Sequence, residues 1–311
     1  MNSRPRLGKK PARLGAVKFK LGNYVDLSKL PTPPAEFGHG FALSDWGMLG
    51  NDNAGDCVFA GAAHETMLWR KEAHLYYHFD DKGVLGDYSA LTGFNPADPN
   101  TDNGADMQQA AEYRRTTGIV DSLGWRHRVV AYMSLQVGNL SELYTAMYLF
   151  DSVGVGIRFP SSAMDQFNAG QPWSVVPGSP IEGGHYIPAV GRQGGMIQTV
   201  TWGKLQLMTP EFYTAMCDEV IVYLTVENLL AGNTPEGFSL PTLLADLASL
   251  KPVPAPAKVA GLTPTSHHCD TPLVRSISEL TEAIDRLAQR LETKNRVFVL
   301  GFGQDRPITK G

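Results

Sequence analysis

Midway along the chain the apolar residues change their rhythm from helical to strand-like, and no other feature limits the fold as much. From Cys57 to about Phe79 the residues are good helix formers. Ala60, Gly61, Ala62 and Ala63 are small enough to let neighbouring backbone approach the first turns, which predicts a central, buried helix. Asp102-Asn103-Gly104 reads as a turn. A second helix is expected from roughly Met107 to Thr117, stopping at Gly118, and a third from Leu140 to Phe150. Beyond it, Ser152 to Ile157, His185 to Val190, Met196 to Trp202 and Val220 to Val226 are β-rich and punctuated by Gly and Pro. Helices first and strands second predict an α+β protein, with a cleft between a helical half and an antiparallel β half.

The chain has 311 residues, 43% apolar and 19% charged, enough for one large or two modest cores. Pro31, Pro33, Pro34, Gly38 and Gly40 bar regular helix before about Phe41, so residues 1–40 read as an extended arm and 41–230 as the body. Seven prolines between Pro235 and Pro272 mark 231–275 as a linker or wrapping segment. Over 276–311, Ile277, Leu280, Ile284, Leu287 and Leu291 alternate spacings of three and four, the seam of a heptad or amphipathic helix. Arg296 to Phe302 then reads as a last strand.

Charge is unevenly spread. Arg4, Arg6, Lys9, Lys10, Arg13, Lys18 and Lys20 give the first twenty residues +7, which leaves −11 for the remainder of a chain whose total is −4. Such an arm suits nucleic acid phosphates through residues 4–20, or an acidic protein surface on its own body or on a partner within an assembly. The helix over 276–311 is equally suited to docking on its own chain or to self-association.

Three widely spaced cysteines, Cys57, Cys217 and Cys269, exclude a disulfide framework and a paired-cysteine zinc site, and fit a reducing compartment. No apolar run has the length of a membrane span, and the N-terminal charges lack the apolar stretch of a secretory signal. No cofactor is implied, since Gly-rich phosphate loops are absent. Thr265-Ser266-His267-His268-Cys269-Asp270 holds ligand types, but adjacent residues of an extended chain point opposite ways, so no metal is expected either. His64, His74 and His78 fall on the expected first helix; His74 and His78 share a face at i and i+4 and, with no carboxylate motif between them, read as surface residues.

One pair carries chemistry. Cys57 follows the loop Asn51-Asp52-Asn53-Ala54-Gly55-Asp56 at a helix start, where unpaired N–H groups and the helix dipole favour thiolate. His185 lies 128 residues later in a Gly-rich strand and is able to hold the displaced proton. The Cys57 N–H and the Asn51 side-chain amide are the candidate donors for an oxyanion. Asp56 either caps the helix or opposes the thiolate with its charge. The plainer reading is a small buried thiol and a satisfied structural histidine.

These residues resemble the papain-like cysteine peptidases, in particular divergent bacterial and bacteriophage members, over about residues 41–226. The resemblance rests on the loop-Cys-helix element, Asp102-Asn103-Gly104, the strand Val153 to Ile157, Gly184-His185 and Thr201-Trp202-Gly203. The family places its histidine about 130–150 residues after its cysteine. It implies a two-lobed fold, peptide or isopeptide hydrolysis through Cys57 and His185, and a Trp202 that covers the histidine.

Two residues depart from the pattern. Asn51 stands for the family's oxyanion glutamine and is one methylene shorter. The asparagine that orients the histidine is absent, with Val200 or Thr201 in its place and Gln198 or Thr201 as candidate orienters; a threonine hydroxyl is weaker than an amide. Two functions follow. One is a cytoplasmic or virion-associated cysteine peptidase acting on a peptide or protein substrate. The other is a papain-like body without chemistry, serving as a structural subunit of a larger assembly such as a phage virion, as its arm, linker and heptad helix suggest.

Overall fold

The computed structural model describes residues 5–13, 15, 17–24, 32–225 and 227. The linker expected over 231–275, the helix and strand expected over 276–311, and Cys269 lie outside the described residues.

The helical half is built on α1 (Cys57–Glu72), buried at every residue from Cys57 to Arg70. Its first seven residues, Cys57 to Ala63, are all small or apolar and offer no face to water, and the helix sits in the middle of the fold. It ends earlier than the expected Phe79, because His74 takes a left-handed φ of 58° and the Arg70 guanidinium captures the Tyr76 carbonyl. His74 and His78 therefore share no helical face, and His78 stacks on Tyr77 instead. His64 is buried: its Nε2 lies 3.0 Å from the Gly47 carbonyl, and burial pushes its ring down to about 4.

A helix the sequence reading passed over, α2 (Asp81–Thr92), follows. Asp80 caps it through Gly83 N, and Gly93 closes it at φ 77°. Next is α3 (Met107–Thr116), with Asp106 accepting from the amides of Gln108 and Gln109, and then α4 (Leu140–Phe150), capped by Asn139. Both fall where expected.

The β half is one antiparallel sheet. Its strands are β1 (Phe37–Gly38), β4 (Ala131–Ser134), β5 (Val153–Pro160), β6 (Ile181–Gln193), β7 (Met196–Thr201), β8 (Lys204–Met208) and β9 (Cys217–Leu224). They lie in the order β4-β9-β5-β6-β7-β8, with β1 pairing β6 near its end; β2 (Ile119–Val120) and β3 (Arg126–His127) form a separate hairpin. Two short helices, α5 (Ser161–Asn168) and α6 (Pro210–Met216), complete it.

Period-two alternation along β6 sends successive side chains to opposite cores. Tyr186 and Val190 join Cys57, Phe59 and Trp69 on the α1 side, whereas Ile187 and Ala189 join Phe159, Trp173 and Trp202 on the other. Under α1 a buried ionic cluster ties the halves together. The Glu65 carboxylate accepts from Arg114 Nη1 at 2.6 Å, Tyr186 OH at 2.8 Å and Ser152 Oγ at 3.2 Å, and the Arg114 guanidinium lies 3.8 Å from the centre of the Tyr223 ring.

Candidate active site

Cys57 opens α1 at the end of a tightly bonded loop. Asn53 N and Ala54 N both bond to Gly50 O, Asn51 Nδ2 bonds to Ala54 O at 3.0 Å, and Gly55 N donates to Asp102 Oδ2 at 2.8 Å. Asp102 also accepts from Tyr88 OH at 2.6 Å, so the turn read in the sequence clamps the cysteine loop. Asp56 holds the N-cap position without bonding the helix amides, and neither carboxylate oxygen has a partner. Burial drives its carboxyl well above the ordinary range, against a weaker pull from the Asn51 amide, which lessens the charge expected to oppose a thiolate.

The thiol itself departs from expectation. Cys57 is 2% exposed, and burial pushes it up to about 12 despite nearby backbone N–H groups of Tyr186 and Gly8. The desolvation cost outweighs the helix terminus here.

His185 is 1% exposed in an aromatic box. The Trp202 indole stacks on it at 4.4 Å between centroids, and Phe159 meets it edge-on at 5.6 Å. Its Nε2 lies 2.7 Å from Thr201 Oγ1, while Nδ1 is buried with no hydrogen-bond partner. Burial alone pushes the ring down to about 3, so it is neutral. Trp202 adopts φ 44°, a conformation bulky residues avoid, and is held there by Phe159, Phe167 and Trp173.

Of the two candidate orienters only Thr201 reaches the imidazole. Gln198 bonds Gln193 Oε1 at 3.3 Å, with its amide oxygen beside Gly38, because on β7 it lies an odd number of residues from Thr201 and so on the opposite face. Val200 is buried in the α1-side core. The thiol lies against the Tyr186 amide, one residue from His185, yet no thiol–imidazole hydrogen bond is made.

The sequence reading missed what fills the cleft. The basic arm crosses it as an extended strand. Arg6 N donates to Asn51 O at 3.0 Å, and Trp202 Nε1 donates to Arg6 O at 3.2 Å. Gly8 N and Lys9 N both donate to Gly184 O, at 3.2 and 3.0 Å, on the sheet wall. On the helical wall Ala105 N donates to Gly8 O at 2.7 Å and Lys10 N to Ala105 O at 2.9 Å, a parallel bridge. A Cβ on Gly8 would fall inside the Gly55 carbonyl, so no other residue fits there. The arm turns the Gly8 carbonyl to Ala105 and an amide N–H toward the thiol, the wrong polarity for nucleophilic attack. Further on, Phe19 O accepts from Ser134 N at 2.9 Å and Leu21 is fully buried.

The arm's cations meet acids of the body. Arg13 forks onto Asp106 at 2.6 and 2.7 Å, and Lys9 Nζ lies 2.8 and 3.0 Å from the two oxygens of Asp218. Gly184 and Ala105 were legible only as neighbours of His185 and of the Asp102 turn; no sequence signal pointed to Asp218. Among the described residues no group of three or more His, Cys, Asp or Glu side chains is placed to hold a metal ion. Nor is any described helix long and apolar enough to cross a membrane.

No known sequence family matches the chain, and no curated protein matches it by sequence. Solved structures do. Xylellain, a cysteine protease from Xylella fastidiosa, superposes with a TM-score of 0.56 over 72% of this chain and 98% of its own, at 12% identity. ProCathepsin B S9 from Trypanosoma congolense does so with a TM-score of 0.51 over 72% and 88%, at 10% identity. The mixed α+β architecture with its antiparallel sheet is thus the fold of the papain-like cysteine proteases.

Proposed function

We propose that the chain is a papain-like cysteine peptidase, hydrolysing peptide or isopeptide bonds through Cys57 and His185, with its own N-terminal arm closing the site. The observation that carries this is the bond between His185 Nε2 and Thr201 Oγ1 beneath the Trp202 indole. It holds the ring by one nitrogen and leaves the other, Nδ1, without a partner beside the strand residue that touches the thiol. Withdrawal of the arm rehydrates both groups, brings the thiol down and the imidazole up, and lets the proton pass from sulfur to Nδ1. The Cys57 N–H serves the oxyanion, joined by the Asn51 amide once it leaves Ala54 O. A free nucleophilic thiol suits the reducing cytoplasm, or a virion assembled there.

The test uses Gly8→Val, whose side chain collides with Gly55 O and unseats the arm while every residue of the body is left unchanged. Alkylation of Cys57 by iodoacetamide is expected to accelerate at least about tenfold over the parent chain, ahead of Cys217 and Cys269. Peptide hydrolysis should appear with it, vanish in Cys57→Ser, and fall about 10- to 100-fold in Thr201→Val as a bond to the imidazolium is lost. A labelled but inert Gly8→Val chain counts against the enzyme. That result favours the second reading, a structural subunit of a larger assembly such as a phage virion, which is supported by the uncharged, sealed state of both site groups.

A further inference from the structure

The arm does more than cover the cleft; it fills a side-chain pocket. The Lys9 side chain has 0% exposure, and its ammonium reaches Asp218, whose side chain is 21% exposed, and the Lys10 carbonyl at 3.1 Å. Room for the four methylenes comes from Gly156 on β5, where an added Cβ would strike Lys9 Cε and Met107 Sδ. Glu219 lies behind, its carboxyl raised by burial, drawn back by Gln108 at 2.6 Å and by the charge of Lys9. Two acids thus stand near the ammonium of a stem packed beside Gly156 and Met107, at the end of a narrow tube that the Lys9 side chain fills. Among the described residues Lys9 is the one cation paired with Asp218.

The mouth of this tube lies between Gly184 O and the Ala105 amide and carbonyl, backbone groups that pair with any extended chain regardless of its sequence. A peptide that replaces the arm pairs with the same backbone groups, in the arm's direction or, as a substrate, in the opposite one, and the side chain that falls opposite Ala105 enters the same tube. Leaving Asp218 without a cation in a partly buried site is costly, and placing a carboxylate beside it costs more. We infer that the Gly156–Asp218 pocket selects a lysine or arginine side chain of the peptide bound in the cleft, with Asp218 as its specificity determinant. This rests on the peptidase reading for the word substrate, although the pocket's preference is measurable without turnover.

The probe is a fluorescent hexapeptide copying residues 6–11, Arg-Leu-Gly-Lys-Lys-Pro, offered to the full chain carrying Gly8→Val. Lys9→Glu, which ejects the arm by repulsion from Asp218, serves as the second open form if Gly8→Val does not fold. Norleucine at the Lys9 register is expected to weaken binding at least about 30-fold, since losing one partner of a buried charge pair costs about 2 kcal/mol or more. Arginine should be tolerated there. Asp218→Asn should lose the discrimination, and Asp218→Lys should turn it toward glutamate. Equal binding of the lysine and norleucine peptides, or an Asp218→Asn chain that still discriminates, overturns the inference. Hydrolysis is read separately on a set of quenched peptides with lysine at successive positions, because a copy of the arm binds with the polarity that escapes attack. Binding preference without cleavage sinks the peptidase reading while supporting the pocket.

Discussion

The Glu65 and Asp218 carboxylates each meet a cation, and they differ in where that cation comes from. Glu65 meets Arg114 of α3, with Tyr186 and Ser152 completing its shell, and both charged side chains are sealed. Asp218 meets Lys9 of the arm, with one edge still open to water. Burial lifts the Glu65 carboxyl and Arg114 draws it back, all within elements that form the body. An ion pair whose halves both belong to the core is a fixture. One whose cation arrives on an extended strand can be undone by moving that strand, because water can reach the acid left behind.

The largest expected effect breaks the fixture. Arg114→Met leaves Glu65 ionisable, sealed and without its cation, and should cost about 3–5 kcal/mol in denaturant unfolding. A loss under about 1 kcal/mol would mean that Tyr186 and Ser152 satisfy Glu65 unaided. Lys9→Met keeps the stem and removes the charge. It should shift global unfolding by about 2 kcal/mol or less, while the Cys57 labelling rate rises by up to about 30-fold as the arm lifts more often. If Lys9→Met destabilised the chain as much as Arg114→Met, the arm would be a strand of the core and the distinction between the two pairs would fail.

The contrast also explains what the sequence could reveal. The two helices Met107–Thr116 and Leu140–Phe150 and the four principal strand runs were legible because each rests on local periodicity, caps or Gly and Pro punctuation. Thr201 was legible as one of two candidates, and only the pleat of β7 separates it from Gln198. α2 was overlooked because Gly83 and Gly86 dilute its helical pattern, although Asp80 and Gly93 mark its ends. The thiol's resting state was misread, since a dipole argument from position alone knows nothing of burial. Lys9 and Asp218 lie 209 residues apart and carry no motif. Their meeting depends on the arm's path, set by backbone bonds to Gly184 and Ala105 that every residue type can make.

The smallest expected effect sharpens the comparison through pH. In the closed cleft His185 is pushed from 6.5 down to about 3, so protons bind more readily when the ring is hydrated than when it is sealed. Its contribution to the closed state is present in full above pH 6.5 and is lost progressively as pH falls toward 3. Cys57, raised from 9.0 to about 12, contributes fully below pH 9 and loses it as pH rises toward 12. Asp56, raised in the sealed loop, acts oppositely to His185, favouring the buried state as pH falls through the carboxylate range. It is held by the body's own loop rather than by the arm, so it bears on global unfolding more than on arm release. The seal should therefore be tightest between pH 6.5 and 9. Hydrogen exchange at the amides of Gly8, Lys9 and Lys10, corrected for intrinsic rate, should show protection falling modestly from pH 7 to pH 5. The Tyr223 amide in β9 should hold its protection over the same range. Parallel loss at both places would make the acid response a global loosening. Loss confined to the arm ties it to the histidine under the strand.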